Sequence, residues 1–274
     1  METIPIGVFD SGVGGLSVLR ALRSQFPSHP ILYFADQAHV PYGSRSLEEI
    51  RAYSREITRF LLDKGARLIV VACNTASAAA LHDLRQYFSA VPFVGMEPAV
   101  KPAAEGTHSG VVGVLATPAT FHSDLYTSVL ERFARGVKIL GDPCPGLVQQ
   151  IETGDLTGPK TRQILENALR PMLAAGADTI VMGCTHYPFV IPLIQEIAGT
   201  GVRVIDPAPA VARQAGRLLS ARGWFSQDSL PGAIKFFTSG DPQAFTDLLP
   251  LLLGELGEVA QIHWEQTCIE KIQR

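Results

Sequence analysis

The chain has 274 residues, 46% hydrophobic and 18% charged, with a net charge of −3 and a pI near 6.2. That is long enough for one large domain or two of ordinary size, and the balance of charge gives no general pull toward nucleic acid or an acidic membrane surface. No apolar run nears the roughly 18 residues of a membrane span, no signal peptide opens the chain, and four cysteines read as free thiols in a reducing compartment, so a soluble, cytoplasmic protein is expected.

Ile4 to Phe9 is a short apolar strand, and Asp10, Ser11, Gly12, Val13, Gly14 and Gly15 follow it. Leu16, Val18, Leu19, Leu22 and Phe26 then recur at helical spacing until Pro27. Glycines at such a turn let the backbone approach a ligand, and a helix N-terminus offers N–H groups to an anion. Ile31 to Ala35 is a second strand, ending in Asp36. A G-x-G turn with an acid about 20 residues on is part of the dinucleotide fingerprint. The match is incomplete, because Ser17 holds the third glycine position and Asp10 would repel a pyrophosphate. The loop His39 to Gly43 carries turn signals, and His39 and Asp36 read as structural. Ser46 with Glu49 makes a capping box, and Ile50, Tyr53, Ile57, Phe60 and Leu61 give a buried stripe up to Gly65.

Leu68 to Thr75 reads L-I-V-V-A-C-N-T. That is a strand buried on both faces, which delivers Cys73, Asn74 and Thr75 at its carboxyl end and then turns into a helix. A strand at Val91 to Met96 closes on Glu97 and Pro98, and from there the order of elements starts over. Val111 to Ala116 is a strand ending in Thr117 to Thr120, and Lys138 to Leu140 is a short one. Thr161 opens a helix through Leu173, in which Pro171 predicts a kink or a break, and Gly176 ends it. Thr179 to His186 then reads T-I-V-M-G-C-T-H, so Cys184, Thr185 and His186 take the places of Cys73, Asn74 and Thr75. Val202 to Ala208 echoes Val91 to Ala99. A repeat of about 110 residues suits a duplicated domain rather than a solenoid unit.

Alternating strands and helices predict an α/β fold of two pseudo-symmetric domains, each a parallel sheet flanked by helices. Residues 1–97 plus 209–274 form the expected first domain and 98–208 the second. The tail after Val211 should add a helix, a strand at Ile234 to Thr238, a helix over Ala244 to Leu253 and a strand at Val259 to Trp264, all returning to the first domain. Ligands of such sheets sit beyond the carboxyl ends of the strands, so the expected active site is a cleft between the domains.

Free cysteine is among the most buried residue types, and for Cys144 and Cys268 the expectation is core. Cys73 and Cys184 are each followed by polar groups that a core would have to satisfy. Metal binding by Cys184 and His186 lacks a C-x-x-C knuckle or a second histidine at ligand spacing, and a disulfide is disfavoured in a reducing compartment. Acid–base chemistry on carbon fits better. Inverting a stereocentre needs a base on one face and an acid on the other, and two thiols from two pseudo-symmetric domains supply them. An unperturbed thiol is only a few per cent ionised at pH 7, so neighbours must bias the pair: His186 beside Cys184, Asp10 across from Cys73. Ser11, Asn74, Thr75, Thr185 and the backbone N–H groups of the Tyr42–Gly43 loop would hold a small polar substrate, with Asp10 facing an ammonium.

D-S-G-V-G-G at Asp10 to Gly15, P-Y-G at Pro41 to Gly43, C-N-T at Cys73 to Thr75 and G-C-T-H-Y-P at Gly183 to Pro188, with V-G-M-E-P-A and F-F-T-S-G-D, together resemble bacterial glutamate racemase over nearly the whole chain. The resemblance implies a cofactor-independent isomerase that interconverts L- and D-glutamate, the D form feeding cell-wall peptidoglycan. It implies Cys73 as the base for D-glutamate and Cys184 as the base for the L form. It also implies substrate contacts at Asp10, Ser11, Tyr42, Gly43, Asn74, Thr75, Thr185 and His186, and Glu152 as a carboxylate assisting the thiols. Glutamate is then the implied partner; monomer and homodimer arrangements both occur in the family, so the resemblance carries over no oligomeric state. The enzymatic alternatives are aspartate racemase or another two-cysteine racemase. A pyridoxal enzyme is disfavoured, since no lysine ends a strand in either repeat. The non-enzymatic alternative is a nucleotide-binding regulatory module built on the Gly12–Gly15 turn.

Overall fold

The computed structural model describes residues 4–226, 230–265 and 268–269. The chain begins with β1 (Ile6–Asp10), α1 (Leu16–Gln25), β2 (Ile31–Ala35), α2 (Leu47–Asp63), β3 (Leu68–Val71), α3 (Asn74–Tyr87) and β4 (Phe93–Gly95). It continues through α4 (Val100–Gly106), β5 (Val111–Ala116), α5 (Pro118–Phe121), α6 (Asp124–Phe133), β6 (Lys138–Asp142), α7 (Leu147–Glu152), α8 (Pro159–Ala174), β7 (Thr179–Gly183), α9 (Ile191–Ala198) and β8 (Arg203–Ile205). It closes with α10 (Ala208–Arg222), β9 (Ile234–Thr238), α11 (Pro242–Leu252), β10 (Val259–Gln261), β11 (Trp264–Glu265) and β12 (Cys268–Ile269). Two compact units result: one contains the chain up to Met96 and again from Ala208, and the other is Glu97–Pro207.

The first unit holds a sheet in the order β10-β9-β2-β1-β3-β4, with every neighbouring pair parallel. The second holds β6-β5-β7-β8, also all parallel. The four strands β2-β1-β3-β4 and the four of the second sheet share one order, so the repeat in the sequence is a repeat in topology. Cys73 follows the third strand of one set and Cys184 the third strand of the other. Strands β1, β2, β3 and β7 are buried along their whole length, as expected for parallel strands covered on both faces. Side chains alternate across a strand: Phe9, Phe34, Ile69 and Val71 join Ile57 of α2 and Leu84 of α3 in one core cluster.

The helices that precede the two thiol strands end alike. Gly65 and Gly176 take the left-handed conformation, with φ of +101° and +87°. Ala66 N–H reaches back to the Leu61 carbonyl and Ala177 N–H to that of Met172, both at 3.0 Å. Glycine allows this hydrogen-bonded stop without strain, and it delivers each chain to its strand in the same way. At the start of α2 the Ser46–Glu49 capping box is present in both directions.

Some expected boundaries move. Helix α8 starts at Pro159, in the first position where a missing N–H is harmless, and runs past Pro171 to Ala174. The strand expected over Val259 to Trp264 is divided: β10 pairs in parallel with β9, whereas β11 pairs antiparallel with β12. Among the described residues no helix is long and apolar enough to cross a membrane.

Candidate active site

Cys73 stands where β3 gives way to α3. Its backbone is extended and it is the N-cap of α3, its Sγ accepting from the Ala76 N–H at 3.4 Å. A helix N-terminus favours negative charge at such a position. The Cys73 thiol donates to the Ser11 hydroxyl at 3.8 Å, and that hydroxyl donates to Asp10 Oδ1 at 3.5 Å. Asp10 is fully buried at the end of β1, and its Oδ2 accepts the Gly15 N–H at 2.7 Å. Asn74 and Thr75, the first two residues of α3, are buried beside it. Neither the amide nitrogen nor the amide oxygen of Asn74 has a hydrogen-bond partner. A buried side-chain amide without partners is costly in a finished core and ordinary in a site built for a polar ligand.

Cys184 follows β7 in the second unit. Its Sγ lies 3.8 Å from Nδ1 of His186, whose Nε2 lies 2.6 Å from Oε1 of Glu152, the last residue of α7. Thiol, imidazole and carboxylate thus form one chain. Burial opposes charge on His186, but the Cys184 sulfur and the Glu152 carboxylate outweigh it and hold the imidazole well above its ordinary value. A raised value favours the imidazolium, which can donate to both neighbours. Thr185 is buried between them in sequence. Tyr187 opens the turn after His186, and its hydroxyl donates to the Pro143 carbonyl at 3.1 Å; burial and the thiols of Cys184 and Cys144 push its phenol well up.

The expected residues therefore fall into two groups, one in each unit. Asp10, Ser11, Cys73, Asn74 and Thr75 form the first, and Cys184, Thr185, His186 and Glu152 the second. Tyr42 joins the first group by charge, since Cys73 and Asp10 are among the groups that raise its phenol. Its ring is buried: Tyr42 is 1% exposed and its hydroxyl donates to Asp36 at 2.6 Å. Only the backbone of the Tyr42–Gly43 turn is left for a ligand.

The nucleotide alternative loses its main support at the glycine turn. Gly15 N–H is taken by Asp10, Leu16 N–H by the Val13 carbonyl and Ser17 N–H by that of Gly14, so these three N–H groups at the start of α1 are occupied. Cys144 is buried as expected, with its thiol pushed up by burial. Cys268 is exposed rather than core; it sits in a two-residue strand paired with β11. Four side chains donate to the Asp36 carboxylate. The acid at the end of β2 was visible in the sequence, but its partners at Ser239 and Trp264 were not. Among the described residues no group of three or more His, Cys, Asp and Glu side chains could hold a metal ion.

Residues 15–215 match the family described as Asp/Glu/hydantoin racemase. A glutamate racemase from Roseiflexus sp. (strain RS-1) is 53% identical over 246 residues, 89% of this chain and 90% of the relative. Among solved structures, a glutamate racemase isoform from Bacillus anthracis aligns with a TM-score of 0.85 at 31% identity, covering 97% of this chain and 99% of that one. A glutamate racemase from Escherichia coli, solved in complex with L-glutamate and the activator UDP-MurNAc-ala, aligns with a TM-score of 0.82 at 32% identity, covering 94% and 97%.

Proposed function

Because this chain belongs to the Asp/Glu/hydantoin racemase family, and within it to the glutamate racemases, we propose that it interconverts L- and D-glutamate with its own two thiols. The observation that carries this reading is a cysteine at the carboxyl end of the same strand in both four-stranded repeats.

The steps follow from acid–base chemistry. With L-glutamate, the Cys184 thiolate takes the Cα proton and becomes a thiol, while the Cys73 thiol delivers its proton to the opposite face and becomes a thiolate. D-glutamate runs the same steps in reverse. The His186 imidazolium stabilises the Cys184 thiolate by hydrogen bonding, and Glu152 keeps that imidazole charged. On the other side the N-terminus of α3 supports the Cys73 thiolate, whose sulfur accepts the Ala76 N–H. The charge left on the substrate when the proton departs spreads into its α-carboxylate, which the Asn74 amide and the hydroxyls of Thr75 and Thr185 can receive by donating to it. Asp10 supplies an acidic pole for the ammonium group.

The same reading takes glutamate as the small-molecule partner, places the enzyme in the cytoplasm, where four free thiols are at home, and gives its product to peptidoglycan assembly. Sedimentation would decide between a monomer and a homodimer. Proton NMR of each glutamate enantiomer in deuterated buffer is the direct assay. Loss of the Cα–H signal together with loss of optical activity is the expected result. Exchange on aspartate in place of glutamate would change the substrate, and silence with both would end the racemase reading.

A further inference from the structure

Asp36 ends β2 and is completely buried. Its two oxygens accept from the His39 ring at 2.9 Å, the Tyr42 hydroxyl at 2.6 Å, the Ser239 hydroxyl at 2.7 Å and the Trp264 indole N–H at 2.8 Å. An ionised carboxylate offers about four lone-pair sites, and four donors use them. The donors come from separate places in the sequence: Ser239 is 203 residues away and Trp264 is 228. Around them the His39 ring stacks on Tyr53 at 3.8 Å, and Trp264 meets both rings edge-on. A loop could be held by apolar packing alone, and a buried carboxylate is a costly anchor unless each of its bonds is made.

Two of the four donors belong to the loop that reaches the thiol. Tyr42–Ser44 is a single 3-10 turn, so the N–H groups of Tyr42 and Gly43 have no partner within it. The turn packs on α3, the helix that Cys73 caps. Behind it, the Arg45 guanidinium donates to the His39 carbonyl at 3.3 Å and closes the loop on itself.

We propose that Asp36 is a positioning residue for the racemisation: by holding Tyr42 and Trp264 on one carboxylate it fixes the Tyr42–Gly43 backbone where its N–H groups receive a substrate carboxylate, and it makes the C-terminal Trp264 part of the frame of the site. This rests on the reading of the Tyr42–Gly43 turn as a substrate contact. Asp36 itself touches no reacting atom, so its loss changes binding more than turnover.

The test measures kcat and KM for both enantiomers, with the thermal midpoint, in Asp36→Asn, Tyr42→Phe and Trp264→Phe. Each of the last two removes one donor and keeps an aromatic ring, so they test the idea even if Asp36→Asn folds poorly. The expected result is a KM raised about tenfold for both enantiomers in Tyr42→Phe and Asp36→Asn, with kcat within about threefold of the parent. Asp36→Asn combined with Tyr42→Phe should be little worse than either alone, and Trp264→Phe should raise KM in the same direction. A lowered midpoint with unchanged KM would make the cluster merely structural and overturn the proposal. A parent enzyme that exchanges no Cα–H of glutamate would instead overturn the proposed function, and this proposal with it.

Discussion

The His186 imidazole takes its charge from what lies on either side of it, and the chemistry at Cys184 depends on that charge. Glu152→Gln removes one of the two groups that hold the imidazole high while keeping the shape of the side chain. The protonated form of His186 then begins to disappear at lower pH than in the parent. Racemisation from L-glutamate should fall about tenfold or more at neutral pH, with the alkaline limb of its pH profile moved down. An unmoved limb would remove Glu152 from the relay. Cys73→Ala and Cys184→Ala should each cost at least about 100-fold in both directions, since every turnover uses both thiols. Circular dichroism of the variants should match the parent, because alanine at these strand ends keeps the fold.

Among the elements, the pair β5–β7 carries the tightest constraint beside a thiol. Gly183 lies opposite Ala116 in the register, and a Cβ there would meet the Ala116 Cβ at 2.6 Å and the Leu115 carbonyl oxygen at 3.0 Å. The backbone oxygen cannot swing aside, so Gly183→Ala must push β7 away from β5, and Cys184 is the next residue. About 1–3 kcal/mol of stability should be lost, the usual cost of overpacking. Urea denaturation would measure this, and an unchanged midpoint would show that the strands part freely. The strand that carries Cys73 is delivered by a helix ending in a left-handed glycine, as is the strand that carries Cys184. Both stops were readable, because a glycine after an apolar helical stripe is a local signal. The division of the expected Val259–Trp264 strand was not readable, since pairing with β9 or with β12 is a choice made by distant partners.

For the whole molecule, two buried histidines set opposite pH dependences. His186 titrates above the unfolded value near 6.5, so its contribution to stability is complete below that pH and is lost as pH rises through the raised value. His29 is lowered by burial, so protonation strains the folded state: stability is full above about pH 6.5 and falls as pH drops toward the lowered value. His29→Gln should flatten the fall of the thermal midpoint below about pH 6.5, and an unchanged slope would assign it to other groups. The alternation of strand and helix, both thiols and their polar followers were all written in neighbouring residues, and the repeat of about 110 residues in the likeness of two such stretches. Hydrophobic periodicity, caps and turn glycines act over a few positions, so the sequence by itself determined the elements and the residues at their ends. Tertiary structure alone decided what those ends meet. The Glu152 carboxylate on His186, the four donors on Asp36, the unpartnered Asn74 amide and the exposure of Cys268 all depend on packing between segments tens to hundreds of residues apart. No local pattern encodes such a meeting, because its energy exists only after the chain has folded.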